Sequence, residues 1–141
     1  SAALYSADAA GNLWDVTAVP IPVGPTGRTQ IGDLDYANNG LWGYSNASQE
    51  LFFFDFGSAS TTYSQVITLP SGSVVTGVAY QPSSSDIFLS ANTGLNTDVL
   101  YRVPSFATSA ALIGSMAIGD AFSYVSDIDF GLMQIGVNYR W

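Results

Sequence analysis

"TGVAYQPSSSDIFLSANTGLNTDVLYRV", residues 76–103, decides the fold class because short apolar runs alternate in it with turn-forming residues. The runs at 76–80, 87–90 and 100–103 are rich in β-branched, aromatic and aliphatic residues, as strands are. The intervening "QPSSSD" and "NTG" carry the Gly, Pro, Ser and Asn of turns. Nowhere in the chain is a period of 3.6 residues sustained, so we predict an all-β fold.

Related segments recur on both sides of this stretch, which indicates an internal repeat. One set ends on an aromatic residue and comprises "GDLDY" at 32–36, "TGVAY" at 76–80 and "SDIDF" at 126–130, beginning 44 and 50 residues apart. A second set comprises "LWDV" at 13–16, "FFDF" at 53–56 and "LYRV" at 100–103. Further apolar segments flank each copy, so each repeat contains four short strands in about 40–50 residues, the size of a β-propeller blade.

Residues 76–115, with the phrases "GVAY", "LYRV" and "LIGS", resemble the blades of bacterial secreted β-propeller proteins. The resemblance covers most of residues 28–130 and implies a blade architecture without specifying a function. With strands lettered a to d from the inside of the ring, the chain reads b-c-d, a-b-c-d, a-b-c-d, a-b. The approximate repeats are 1–31, 32–75 and 76–125, and residues 126–141 are terminal strands.

We therefore expect residues 1–141 to form a single β-repeat domain of about three blades. The fourth strand of the first repeat is expected at 28–32, "RTQIG". Propellers usually have about 4–8 blades, so three blades are incomplete as a monomer. The strand at 126–130 could complete the first repeat, which would leave the segment after it as a surplus strand.

Charge and composition exclude several functions. Charged residues make up 10% of the chain and the net charge is −8, so a nucleic-acid partner is not expected. The chain has no His, Cys or Lys, which excludes Ser-His-Asp and thiolate catalysis and Schiff-base chemistry. A surface of neutral polar residues is common outside the cell. We expect an extracellular or cell-surface protein that is not an enzyme.

The last strand, "LMQIGVNYRW" at 132–141, has an apolar face made of alternate residues. Its members are Met133, Ile135, Val137, Tyr139 and Trp141. Because an unpaired strand is a template for another chain, these residues are the candidate assembly contacts. The same tail also resembles the C-terminal signal of bacterial outer-membrane β-barrel proteins, which implies an outer-membrane location as the alternative.

Two pairs of carboxylates form the candidate metal site. Asp33 and Asp35 lie two residues apart and so share one face of a strand, and Asp127 and Asp129 repeat this arrangement. Oxygen clusters of this kind can hold Ca²⁺, although no complete calcium-loop motif is present. The alternative is that these carboxylates accept hydrogen bonds from neighbouring backbone at strand ends.

Two further residues are candidates for contact with sugars. Trp42 could stack on a glycan, although strand aromatics more often pack between blades. Asn46 begins Asn46-Ala47-Ser48, an acceptor sequence for N-glycosylation.

Together these features favour a non-enzymatic structural protein whose subunits join through their terminal strands into a filament or another homo-oligomer. The alternatives are a secreted binding module for glycan or peptide, a small outer-membrane barrel and, from the Asp pairs, a hydrolase. No cofactor is expected apart from Ca²⁺.

Overall fold

The computed structural model describes residues 3–94, 98–105, 111–115, 125 and 127–130. These residues form eleven β-strands and no helix, so none of them belongs to a helix able to span a membrane. The strands are β1 (Tyr5–Ala7), β2 (Asn12–Asp15), β3 (Ile21–Pro25), β4 (Ile31–Ala37), β5 (Gly40–Ser45), β6 (Glu50–Asp55), β7 (Ser60–Val66), β8 (Val74–Gln81), β9 (Asp86–Asn92), β10 (Asp98–Val103) and β11 (Ala111–Ser115).

The strands form three antiparallel sheets, and each sheet follows chain order. Sheet 1 is β1-β2-β3, sheet 2 is β4-β5-β6-β7, and sheet 3 is β8-β9-β10-β11. The all-β prediction and the division into propeller-like blades are confirmed. Among the described residues, sheet 1 has only three strands, which agrees with the pattern b-c-d, a-b-c-d, a-b-c-d.

The tight turn between β4 and β5 shows how the sequence sets the register of these meanders. Ala37 pairs with Gly40, and the two residues between them, Asn38 and Asn39, have φ values of 51° and 60°. Positive φ at both central positions defines the type I′ hairpin, and Asn tolerates it well. A Cβ on Gly40 would lie 2.3 Å from the carbonyl oxygen of Phe54 on β6, so this position requires glycine.

Two hydrophobic cores hold the three sheets together. Between sheets 1 and 2, the buried side chains of Leu13, Leu41, Phe52 and Phe54 pack together. The second core joins sheets 2 and 3. Its buried members are Tyr44, Leu51, Ile67, Leu69, Val75, Val78, Ile87, Leu89, Ala91, Tyr101 and Val103. Alternate residues of sheet 2 thus face opposite neighbours, as expected for a blade between two others.

The expected position of one strand was wrong. The outermost strand of sheet 1 is Ile21–Pro25 rather than residues 28–32, and Ile31 already belongs to sheet 2. Pro22 and Pro25 made residues 21–25 a poor strand candidate from sequence alone. An edge strand tolerates proline, because one side of it needs no ladder hydrogen bonds. Gln30, with φ of 51°, separates residues 28–29 from β4.

Residues 127–130, expected as an inner strand, lie against sheet 3. The ring of Phe130 contacts that of Phe88 with centroids 5.0 Å apart, and a Cβ on Gly77 would lie 2.9 Å from the amide nitrogen of Ile128. The Thr76 hydroxyl donates a hydrogen bond of 2.6 Å to the carbonyl oxygen of Val125. Residues 127–130 are not part of any ladder among the described residues, and they do not complete sheet 1.

Leu89→Ala tests the core between sheets 2 and 3. Leu89 is fully buried there, so we expect the free energy of unfolding to fall by about 2–5 kcal/mol. Urea unfolding followed by tryptophan fluorescence measures the loss. Val74→Ala, on the same sheet but 49% exposed, is the control and should change stability by less than about 1 kcal/mol. Equal losses in the two variants would show that the core has been misplaced.

Candidate functional site

The carboxylates of Asp33 and Asp35 connect the inner strands of sheets 2 and 3. An oxygen of Asp33 accepts a hydrogen bond of 2.8 Å from the backbone N–H of Val78, and an oxygen of Asp35 accepts one of 2.6 Å from that of Tyr80. Both donors lie on β8, so each carboxylate satisfies a backbone group of the next blade. These hydrogen bonds lie within the strands rather than at strand ends. They are nevertheless bonds from neighbouring backbone, which the sequence left open as the alternative to a calcium site.

Asp127 and Asp129 approach these two residues from the third copy of the motif. Burial raises the pKa of Asp33 to about 7, hydrogen bonds from the Val78 and Leu34 backbone oppose the rise, and the Asp127 carboxyl adds to it. The pKa of Asp35 is also raised, by burial first and then by the charges of Asp129 and Asp127. The structure therefore brings the four predicted residues together as facing carboxyl groups.

Calcium binding at these four carboxylates stays a prediction. Each pair is like-charged, and no group of three or more acidic side chains within the described ranges has the arrangement of a metal site. Asp33 and Asp35 each already use one oxygen on a backbone N–H. The pKa of Asp33 is raised first by burial, and the nearby Asp127 carboxyl adds to the rise.

Asn46, the candidate glycosylation site, makes a two-point contact between sheets 2 and 3. Its Nδ2 donates to the carbonyl oxygen of Val75 at 3.0 Å, and its Oδ1 accepts from the backbone N–H of Val75 at 2.8 Å. A glycan on Nδ2 would have to displace the first bond. The polar turn places Asn46 against the next blade, and glycosylation of Asn46 stays a prediction.

Trp42, the candidate glycan contact, belongs to an aromatic cluster between sheets 2 and 3. Its ring centroid lies 5.2 Å from that of Phe53, 5.5 Å from that of Tyr63 and 6.2 Å from that of Tyr80. Trp42 also lines a cleft between the two sheets, which has a volume of about 130 Å³. The cluster fits the expectation that strand aromatics pack between blades, and contact of Trp42 with a glycan stays a prediction.

Sequence reasoning did not single out the hydroxyl groups of Tyr80 and Ser85 at this cleft. Asn38 Nδ2 donates to the Tyr80 hydroxyl at 3.3 Å, and that hydroxyl lies 3.2 Å from the Ser85 hydroxyl. Asn38 lies in the turn after β4 and Ser85 in the turn after β8, so equivalent turns of two repeats converge. The repeat could have predicted this contact, because it places the turns of Asn38 and Ser85 at equivalent positions in neighbouring blades.

The candidate assembly residues Met133, Ile135, Val137, Tyr139 and Trp141 lie outside the described residues. Both interpretations of the tail therefore stay predictions.

No protein-family model matches this sequence, and no curated protein matches it. Among solved structures, the fold is similar to a chain in "Crystal Structure of Mitotic Checkpoint Complex", with a TM-score of 0.56 and 14% sequence identity. The match covers 90% of this chain and 39% of that one, so this chain spans well under half the length of the neighbour. The neighbour is a β-propeller protein, and the likeness supports a propeller-like fold for this chain.

The raised pKa of Asp33 predicts an unusual pH dependence of stability. The folded protein binds a proton at Asp33 up to about pH 7, whereas the unfolded chain releases it near the ordinary value of 3.8. The free energy of unfolding should therefore fall as pH rises from about 4 to 7. Asp35, whose pKa is shifted the same way, adds to this trend.

Urea unfolding at a series of pH values measures the trend, and Asp33→Asn should flatten it. Asp15→Asn is the matched control, because hydrogen bonds from Thr17 lower the pKa of Asp15, so its contribution to stability changes mostly below about pH 4. If stability depends on pH equally in the wild type and in Asp33→Asn, the pKa of the Asp33 carboxyl is not raised in the folded protein.

Proposed function

We propose that this chain is a non-enzymatic extracellular structural protein that assembles with copies of itself through its terminal strands. The product is a filament or a closed homo-oligomer built from blades of the bacterial secreted type. One observation carries the proposal: among the described residues, sheet 1 has three strands where sheets 2 and 3 each have four.

The edge of β1 is the place where a further strand would add. The carbonyl oxygen of Leu4 accepts from the N–H of Val16, and the N–H of Asp8 donates to Asn12, so these residues bond toward β2. In an antiparallel pair the intervening Tyr5 and Ala7 then direct their backbone groups to the opposite edge. Within the part of the chain that the structure describes, β2 is the only strand paired with β1.

The strand that fits this edge is the alternating segment 132–141. Its apolar side chains occur at every second position, which suits a strand whose one face packs against a neighbouring blade. Supplied by a second copy, it would give sheet 1 a fourth strand by β-augmentation. Because donor and acceptor lie on different surfaces, the contact is heterologous and gives either a ring or an open fibre.

The outward face of sheet 3 supports the same proposal. It carries a groove of about 450 Å³ lined by apolar side chains, including Phe88, Leu100, Ile113 and Phe130. Ile113 is 53% exposed and Phe130 38% exposed. Since repeat proteins bury such faces against the next repeat, a further blade from another copy would cover this one.

The charges of the chain argue against nucleic acid or anionic lipid as a partner. Of the three Arg residues, Arg28 pairs with Glu50 and Arg102 with Asp86. Neither described arginine therefore contributes to an open basic patch. The low charge content and neutral polar surface support a location outside the cell.

Val137→Lys tests the role of the tail, because it adds a charge to the apolar face of the proposed strand. We expect it to convert oligomers or fibres into monomers while leaving the circular dichroism of the three sheets unchanged. Asn138→Lys adds the same charge on the polar face and is the matched control. Sedimentation velocity and negative-stain electron microscopy measure the assembly state.

A peptide of residues 131–141 tests the acceptor edge directly. In excess it should bind a chain truncated after residue 130 and block assembly of the full chain, whereas the same peptide carrying Val137→Lys should do neither. If the full chain is a stable monomer at high concentration, and truncation changes nothing, self-assembly through the tail is refuted.

A further inference from the structure

The cleft between sheets 2 and 3 has the composition of a small binding site. Its volume is about 130 Å³, below the roughly 300–1,000 Å³ of pockets for drug-sized ligands, which limits an occupant to about one ring. The turns that carry Asn38 and Ser85 border it, so it opens at the loop end of the blades. Binding groups often lie on loops that a rigid scaffold holds in place.

One wall of the cleft is aromatic. Trp42, Tyr63 and Tyr80 line it, and the planes of Trp42 and Tyr80 are within 10° of parallel. Trp42 is fixed between its neighbours by contacts with Tyr63 and Phe53, so its orientation is set before any ligand arrives. A preset aromatic surface suits the C–H face of a sugar ring and needs little ordering on binding.

The rim supplies groups that both donate and accept hydrogen bonds. Asn38, the Tyr80 hydroxyl and the Ser85 hydroxyl form a chain with contacts of 3.3 Å and 3.2 Å. Hydroxyl groups can rotate to serve as donor or acceptor, so this chain matches the vicinal hydroxyls of a sugar. The Nε1 of Trp42 is buried without a hydrogen-bond partner among the described residues.

The charge around the cleft selects a neutral ligand. None of the described residues that line it is charged. Asp86, next to Ser85 in sequence, is paired with Arg102 at 2.7 Å, so its charge is balanced by a neighbouring cation. The net charge of −8 repels anionic ligands from the whole molecule.

We propose that this inter-sheet cleft binds one ring of a neutral sugar, with Trp42 as the stacking surface and Asn38, Tyr80 and Ser85 as the hydroxyl contacts. The site is independent of the β1 edge and of the outward face of sheet 3. A self-assembling surface protein with such a cleft in every copy would present an array of weak sugar sites, whose combined avidity exceeds the affinity of one.

Titration with the methyl glycosides of glucose, galactose, mannose and N-acetylglucosamine tests the proposal. At least one should bind with a dissociation constant on the order of 1 mM and change the fluorescence of Trp42. Trp14→Phe should retain the change and Trp42→Phe should lose it. Isothermal titration of the wild type supplies a second readout.

Tyr80→Phe removes the central hydroxyl of the rim and should weaken binding about threefold to tenfold, as expected for one hydrogen bond. Tyr36→Phe is the matched control, because Tyr36 is 60% exposed on β4 and does not line the cleft. Circular dichroism verifies that both variants fold. The proposal is overturned if no glycoside binds at about 50 mM, if Tyr80→Phe binds like wild type, or if only uncharged peptides compete for the site.

Discussion

The stack of blades depends on the contact between sheets 2 and 3. Its apolar part is a continuous core that includes Tyr44, Val78 and Leu89. Its polar part includes the side chains of Asp33, Asp35 and Asn46, which are hydrogen-bonded to the backbone of β8. These directional hydrogen bonds fix how the strands of sheet 2 align with those of sheet 3. Apolar contacts, which are not directional, constrain that alignment less. The candidate cleft and the facing carboxyl groups both depend on that alignment.

These polar contacts divide the inner strands into two kinds. In sheet 2 the inner strand carries carboxylates, whereas Gly77 and Ala79 occupy the matching places on β8. Gly77 leaves room for the backbone of Ile128 to approach closely. The repeats thus share one outline but differ in their contacts. Carboxylates of sheet 2 accept hydrogen bonds from the backbone of sheet 3. This asymmetry gives the stack a direction, which a head-to-tail assembly of copies would extend.

Much of the fold could be predicted from the sequence, because strands that alternate with Gly, Asn and Ser turns leave a local signal. The β4–β5 hairpin is specified by Ala37-Asn38-Asn39-Gly40 alone. The edge strand at Ile21–Pro25 was missed because proline rules cannot tell an edge from a central strand. The spacing of Asp33 and Asp35 along the chain predicts that they share a strand face. It cannot predict which N–H groups they bind, because their partners lie 45 residues away. For the same reason, sequence spacing alone could not predict the contacts among Asn38, Tyr80 and Ser85.

The separation of 45 residues between these partners also bears on how the chain folds. Within each sheet, every ladder joins strands that are adjacent in sequence, so each meander can form from local contacts. The bonds of Asp33 and Asp35 close a much longer loop, and they become available only when two meanders already exist. Folding should therefore proceed sheet by sheet with docking as the later step, as in repeat proteins whose units are stabilised by their neighbours. Sheet 1, with three short strands and one described neighbour, would then be the first unit to open under a protease or a pulling force.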